Sequence, residues 1–294
     1  MRKGFSMIEL IMTMVIMGIL ASGAYISVSK LYTKKSKSKA ISELSLDSSR
    51  ISSQISALLA YRVPASVIGY DMQNGSFESI YALTQEYGAL EWIGQDFEQY
   101  RAGRYSGFID FDACDKTTLL LHSPNTDIDS IIGDDNDTAL IFAGAFDEGM
   151  GYGSGFLDSF GWHHHDSAQV FSINNDSTDN NITLLRQPDA LYEKYYLASS
   201  AFAITRKADV NASCNFPADV TLDDNALLLY YNYKPWLGET FCKDANVTVL
   251  STEARGFTVD FINGNLQFNL TLERSVRKSG KDLNITISKE KVVF

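Results

Sequence analysis

Residues 1–20 read MRKGFSMIELIMTMVIMGIL, and how this stretch is understood decides the fold. Between Ile8 and Tyr32 the chain holds one acid, Glu9, and one base, Lys30. At about 1.5 Å per helical residue such a run crosses a hydrocarbon core of about 30 Å. No later segment approaches it, so one membrane helix is predicted ahead of a large polar remainder. Glu9 is the anomaly. A carboxylate at that depth costs roughly 2.5–3.5 kcal/mol, so a compensating partner is expected.

Helical character outlasts the apolar run. Ile41, Leu44, Ser48, Ile51, Ile55 and Leu58 recur at alternating steps of three and four, a seam that a helix can bury. The serines at 42, 45, 49, 52, 53 and 56 read as the opposite face. They are weak helix formers, so packing against a head must supply the stability. Pro64 is the expected stop. The reading is a membrane segment over 5–32 and an amphipathic segment over 33–62, together about 80 Å long.

Past residue 62 the period changes to two. In GFTVDFINGNLQFNLTLERS, Phe257, Val259 and Phe261 alternate with polar residues. Asn263-Gly264 then supplies a tight-turn pair before Leu266, Phe268, Leu270 and Leu272, which is a hairpin with one buried face. Leu283, Ile285 and Ile287 read as a following strand, and LLLYYNY and TALIFAGAF as buried ones. YEKYYLASSAFAITRK fits a strand pair or a short helix. Loops rich in Asp, Asn, Gly and Ser fill 122–138 and 147–181. The expected class is α+β: one long N-terminal helix packed on a large antiparallel β-rich head, residues 63–294.

Charge is unevenly spread. The first 39 residues carry a net +6 of the chain's −11, which leaves −17 on residues 40–294. An acidic head is a poor nucleic-acid surface, and no nucleic-acid partner is expected. Positive-inside counting, two bases before the apolar run and five just after it, favours a cytoplasmic head; the leader considered next outweighs that vote.

MRKG is too short for an ordinary secretory leader, which needs a separate apolar segment before its cleavage site. Gly4, Phe5, Ser6, Met7, Ile8, Glu9 and Leu10 resemble the class III signal of type IV prepilins and type II secretion pseudopilins. That resemblance implies cleavage by a prepilin peptidase between Gly4 and Phe5, with residues 1–4 as leader and Phe5 N-methylated. It implies a single-pass protein of the bacterial inner membrane, N-terminus cytoplasmic and head periplasmic. Other pilins or pseudopilins and an inner-membrane assembly platform would be its partners. Glu9 would then meet the new Phe5 amine of a staggered neighbour, and a paired charge is tolerable where a lone one is not.

The role so implied is structural, not enzymatic: a minor subunit at or near the tip of a secretion pseudopilus or type IV pilus. The rival role is a tip adhesin or ligand-binding module using the loops at 147–181. The chain departs from the family pattern in having no proline between residues 5 and 63, where Gly18 and Gly23 offer local flexibility or close helix contact. It also lacks a closely spaced C-terminal cysteine pair.

No cofactor is expected, and no metal site stands out. In WHHHDS, His163 and His165 could face one ion with Asp166 nearby, but a fourth ligand is lacking and a solvated loop is the expectation. Asp127, Asp129, Asp134, Asp135 and Asp137 offer hard oxygens of the kind Ca2+ takes, without EF-hand spacing. Cys114, Cys214 and Cys242 follow no zinc spacing; an oxidising compartment would allow one disulfide, with Cys214–Cys242 preferred, against three reduced thiols as the alternative. Five Asn-x-Ser/Thr triplets, at Asn136, Asn181, Asn211, Asn246 and Asn284, have Asp two residues ahead. That longer pattern resembles the acceptor signal of some bacterial glycosylation systems, and an Asp- and Asn-rich composition is its competing source.

Overall fold

The helix predicted at the N-terminus is one element, α1 (Met7–Ala60), 54 residues without a break. The computed structural model describes residues 7–83, 85–115, 120–132, 137–144, 156–217, 221–262, 265–278 and 281–293. After α1 the chain forms β1 (Ile68–Asp71), β2 (Ser76–Ser79), β3 (Ala89–Gly94) and the short α2 (Phe97–Arg101). Then come β4 (Leu120–His122), β5 (Ala139–Phe142), β6 (Phe171–Ser172), β7 (Asn181–Thr183), β8 (Tyr195–Ala198) and β9 (Ser200–Arg206). The last five strands are β10 (Leu227–Tyr233), β11 (Asn246–Ser251), β12 (Ala254–Ile262), β13 (Asn265–Lys278) and β14 (Lys281–Val293).

The central sheet is antiparallel, in the order β11-β10-β9-β3-β1-β2. Both its faces are covered, which is why ALEWIG of β3 is buried at every position and why LLLYYNY shows no alternation. One face (Ala89, Ile93, Ala201, Ala203, Leu228, Tyr230) packs into a core with Phe160, Trp162 and Phe241. The other (Leu90, Trp92, Ile204, Leu227, Leu229) packs into a core shared with α1 and the C-terminal strands. Two small sheets, β6-β5-β8 and β4-β7, enclose a third core around Ile128, Phe142 and Ile182.

The hairpin pattern near the C-terminus is observed residue for residue: Phe257 faces Leu270, Val259 faces Phe268 and Phe261 faces Leu266. The turn at 263–264 lies outside the described residues. The third strand, β14, runs well beyond the predicted core of Leu283–Ile287 and pairs with β13 from Leu266↔Val293 to Lys278↔Lys281. Leu266, Phe268, Leu270 and Leu272 of β13 pack into the core shared with α1, whereas the odd-numbered residues from Asn265 to Ser275 are polar and none of them is buried. YEKYYLASSAFAITRK resolves as two strands, β8 and β9, in different sheets.

The helix seam differs at its ends from the predicted one. Ala40, Leu44, Ser48, Ile51, Ser52, Ile55 and Leu59 are buried, whereas Ile41 is 41% exposed and Leu58 only half-buried. The small side chains of Ala40, Ser48 and Ser52 let the helix lie close on β13 and β14, so Ser52 faces the core and not the opposite side. The helix also ends ahead of Pro64. Arg62 bridges Gly94, and the Val63 N–H donates to the Ile93 carbonyl at 2.8 Å, so pairing with β3 takes the backbone before proline acts.

Polar contacts fix the seam along its length. Arg274 on β13 reaches Glu43 at 2.6 Å and Asp47 at 3.6 Å on α1, and Glu253 at 2.5 Å ahead of β12. Glu253 first, and then Glu43, raise the guanidinium's pKa further. Lys289 of β14 donates to the Ser49 hydroxyl at 2.9 Å.

Candidate functional site

The part of the molecule with no structural explanation inside the fold is the first half of α1. From Met7 to Lys39 no residue is buried, and Met7 (84% exposed), Ile8 (72%) and Met17 (72%) stand for the rest. The first buried residue of the helix is Ala40. A bare apolar surface of this length is an interaction surface, and the helix is long and apolar enough to cross a membrane. Its backbone is satisfied internally, and Thr13, Ser22 and Ser27 fold their hydroxyls back onto carbonyls three or four residues earlier, so a non-aqueous environment meets few open polar groups. Gly18 and Gly23 have no atom of the head within 4 Å of a built Cβ, so neither is required by packing within the chain.

Glu9 lies in the first described turn of this helix. Gly4 and Phe5, the expected processing residues, lie outside the described residues. Past the apolar run, Lys30, Lys34, Lys35, Lys37 and Lys39 are all exposed.

The head holds a second concentration of chemistry, which the sequence reading placed only in part. In WHHHDS, His164, His165 and Asp166 are exposed as expected of a solvated loop, but Trp162 and His163 are not. Trp162 is buried, and His163 turns inward because Gly161, His163 and His164 take left-handed backbone (φ 80, 51 and 69). At Gly161 a side chain would collide with the Pro235 carbonyl. His163 stacks on Tyr70 with ring centroids 3.6 Å apart, and its Nε2 donates to Glu91 Oε1 at 2.8 Å. The other Glu91 oxygen accepts from the Tyr233 hydroxyl at 2.7 Å. Tyr233 is fully buried, and burial together with Glu91 pushes its pKa well above the usual value. Glu91 itself is 1% exposed. This buried network ties residues 156–170 to the central sheet and reads as structural.

The weakly suggested ligand sets are not brought together among the described residues. His165 pairs with Asp158 at 3.1 Å instead of joining His163. Asp137 pairs with Lys234 at 2.6 Å, apart from Asp127 and Asp129; Asp134 and Asp135 lie outside the described residues. Among the described residues no three His, Cys, Asp or Glu side chains are grouped to hold a metal. The structure joins Cys214 to Cys242, with Cα atoms 4.4 Å apart, and leaves Cys114 as a thiol.

Sequence reasoning did not find Glu91, Tyr233 or Arg274. The available signal was Glu91 itself, an acid inside the otherwise apolar ALEWIG. Nor do the aromatic residues of 147–181 form a surface where they are described: Phe156, Phe160, Trp162 and Phe171 are all buried.

Comparison with known proteins gives one match. Residues 1–25 match the family model of the prokaryotic N-terminal methylation motif. No curated protein and no solved structure matches the chain. The N-terminal segment therefore carries the class III prepilin signal of type IV pilins and pseudopilins, joined to a head for which the comparisons supply no relative.

Proposed function

We propose that the chain is a minor pilin or pseudopilin, a structural subunit at or near the tip of a type II secretion pseudopilus or type IV pilus. A prepilin peptidase cuts after Gly4, and Phe5 becomes the N-methylated first residue. The subunit waits in the inner membrane with its head in the periplasm, until an assembly platform moves it into a short filament beside other subunits. The single observation that carries this reading is the union of the methylation motif with a helix in which no residue from Met7 to Lys39 is buried. A membrane covers that surface before assembly, and neighbouring helices cover it afterwards.

Glu9 sets the register. Cleavage creates a cation on Phe5 about one helical turn away, and an axial stagger brings Glu9 of one subunit to the Phe5 amine of the next. In an apolar bundle, loss of either partner strands the other at a cost of about 3–5 kcal/mol. The bulk of the head supports a minor place, since repeating it at every step of a tight filament is sterically costly. The adhesin reading rests on aromatic loops at 147–181, and their described aromatics point inward.

Mass spectrometry of the mature protein tests the processing: an N-terminus at N-methylated Phe5 is expected, and a chain that keeps Met1 in cells with an active peptidase refutes it. Glu9→Ala is expected to be cut normally and to enter filaments poorly. Normal incorporation would remove the register role.

A further inference from the structure

Eight Asn-x-Ser/Thr triplets occur in the chain, and five have Asp two residues ahead. Asp and Glu together fill only 36 of 294 positions, so composition alone supplies about one such coincidence. A shared turn preference would explain the repetition if these segments folded alike. They do not. Asp179 sits in a turn with φ 43, and its segment enters β7. Asp209 ends a 3-10 turn, where Arg206 holds its carboxylate through two bonds of 2.9 Å, and the chain runs on into a loop. Asp244 accepts the Thr240 N–H at 2.8 Å just before β11. Asp282 to Thr286 lies wholly within β14. One sequence in four conformations, with different partners, serves no common structural end.

What the four do share is exposure. Asn181, Asn211, Asn246 and Asn284 are all exposed in the folded head, and Asn211 and Asn246 flank the two halves of the Cys214–Cys242 bridge. The fifth, Asn136, lies outside the described residues.

We propose that these asparagines are sites of N-linked glycosylation, with the Asp two residues ahead as part of the signal that is read. The sugar donor is an oligosaccharide on a polyprenyl diphosphate. The asparagine Nδ2 forms a bond to the anomeric carbon while the anomeric C–O bond to the diphosphate breaks. The lipid diphosphate leaves with the electron pair, and Nδ2 gives up one proton. In the folded head Arg206 holds Asp209, and Asn284 Nδ2 donates to Glu273 at 2.9 Å, so transfer precedes folding. Exposure of all four asparagines then lets the modified chain fold without burying a sugar. This inference rests on export of the head, part of the function proposed above.

The test is peptide mapping by mass spectrometry of the protein purified from the cells that make it. The expected result is one common sugar mass on peptides bearing Asn181, Asn211, Asn246 and Asn284. The triplets without the acid, at Asn74, Asn175 and Asn269, should carry none. In Asp244→Asn the mass should vanish from Asn246 and stay on Asn211. Four bare asparagines overturn the proposal, and a sugar that survives Asp244→Asn overturns the role of the acid. Thiol alkylation of the same sample reports export separately: a formed Cys214–Cys242 bridge with bare asparagines removes glycosylation alone, whereas reduced cysteines with bare asparagines remove both.

Discussion

Glu91 is held by two donors of different kinds, a buried tyrosine hydroxyl and a histidine ring. Truncating the histidine removes one of these two donors and opens the aromatic stack on Tyr70. His163→Ala is therefore expected to cost about 1–3 kcal/mol, the usual penalty for leaving a buried acceptor short of a donor, with a lower urea midpoint at unchanged m-value. A midpoint within error of the parent would show that Tyr233 alone satisfies the carboxylate. At this scale the sequence was only half legible. An acid inside an apolar run announces a buried charge, but its partner lies 72 residues away and turns inward through left-handed backbone. No local periodicity reports that, and a row of three histidines read as solvated for lack of it.

Elements were read more reliably than sites, because their signals are local. The alternation in residues 257–272 specified both a hairpin and its register, since a slip of one residue would turn every phenylalanine to solvent. The seam of α1 was shifted by a residue at each end because close approach to β13 and β14 selects small side chains, which hydrophobic patterning does not count. Its division into bare and packed halves yields a prediction. A chain beginning at Lys39 keeps every buried residue of the helix. It should be a soluble monomer by size exclusion, with the thermal midpoint of the detergent-solubilised full chain to within a few degrees. Aggregation or loss of cooperative melting would show that the bare half supports the fold.

Across the whole molecule, two cores flank the central sheet and a third lies under the two small sheets, and buried tyrosines recur in two of the three. Tyr230 and Tyr233 belong to the core around Trp162, and Tyr105 and Tyr195 to the core under the small sheets. Burial raises all four, Tyr230 to about 12. In the unfolded chain these phenols ionise near pH 10, while in the folded one they stay protonated. Their contribution is complete below about pH 10 and declines as pH rises past it, by about 1.4 kcal/mol per pH unit for each tyrosine still protonated in the fold. Urea midpoints measured from pH 8 to 11 should be flat and then fall steeply; a flat profile to pH 11 would mean that the phenols ionise in place. The head's tertiary arrangement had no sequence signal, because sheets sharing strands from distant parts of the chain leave only the uninformative mark of all-round burial.

The unbroken run of α1 from its bare end into the seam fixes how traction reaches the head. A pull on the first turn travels along the axis with no hinge to absorb it, and arrives as shear over the contact from Ala40 to Leu59. Shear loads all the seam residues at once, together with Arg274, whereas peeling would open them one by one. A head mounted this way resists being drawn off its own stalk far better than it resists being pried away sideways.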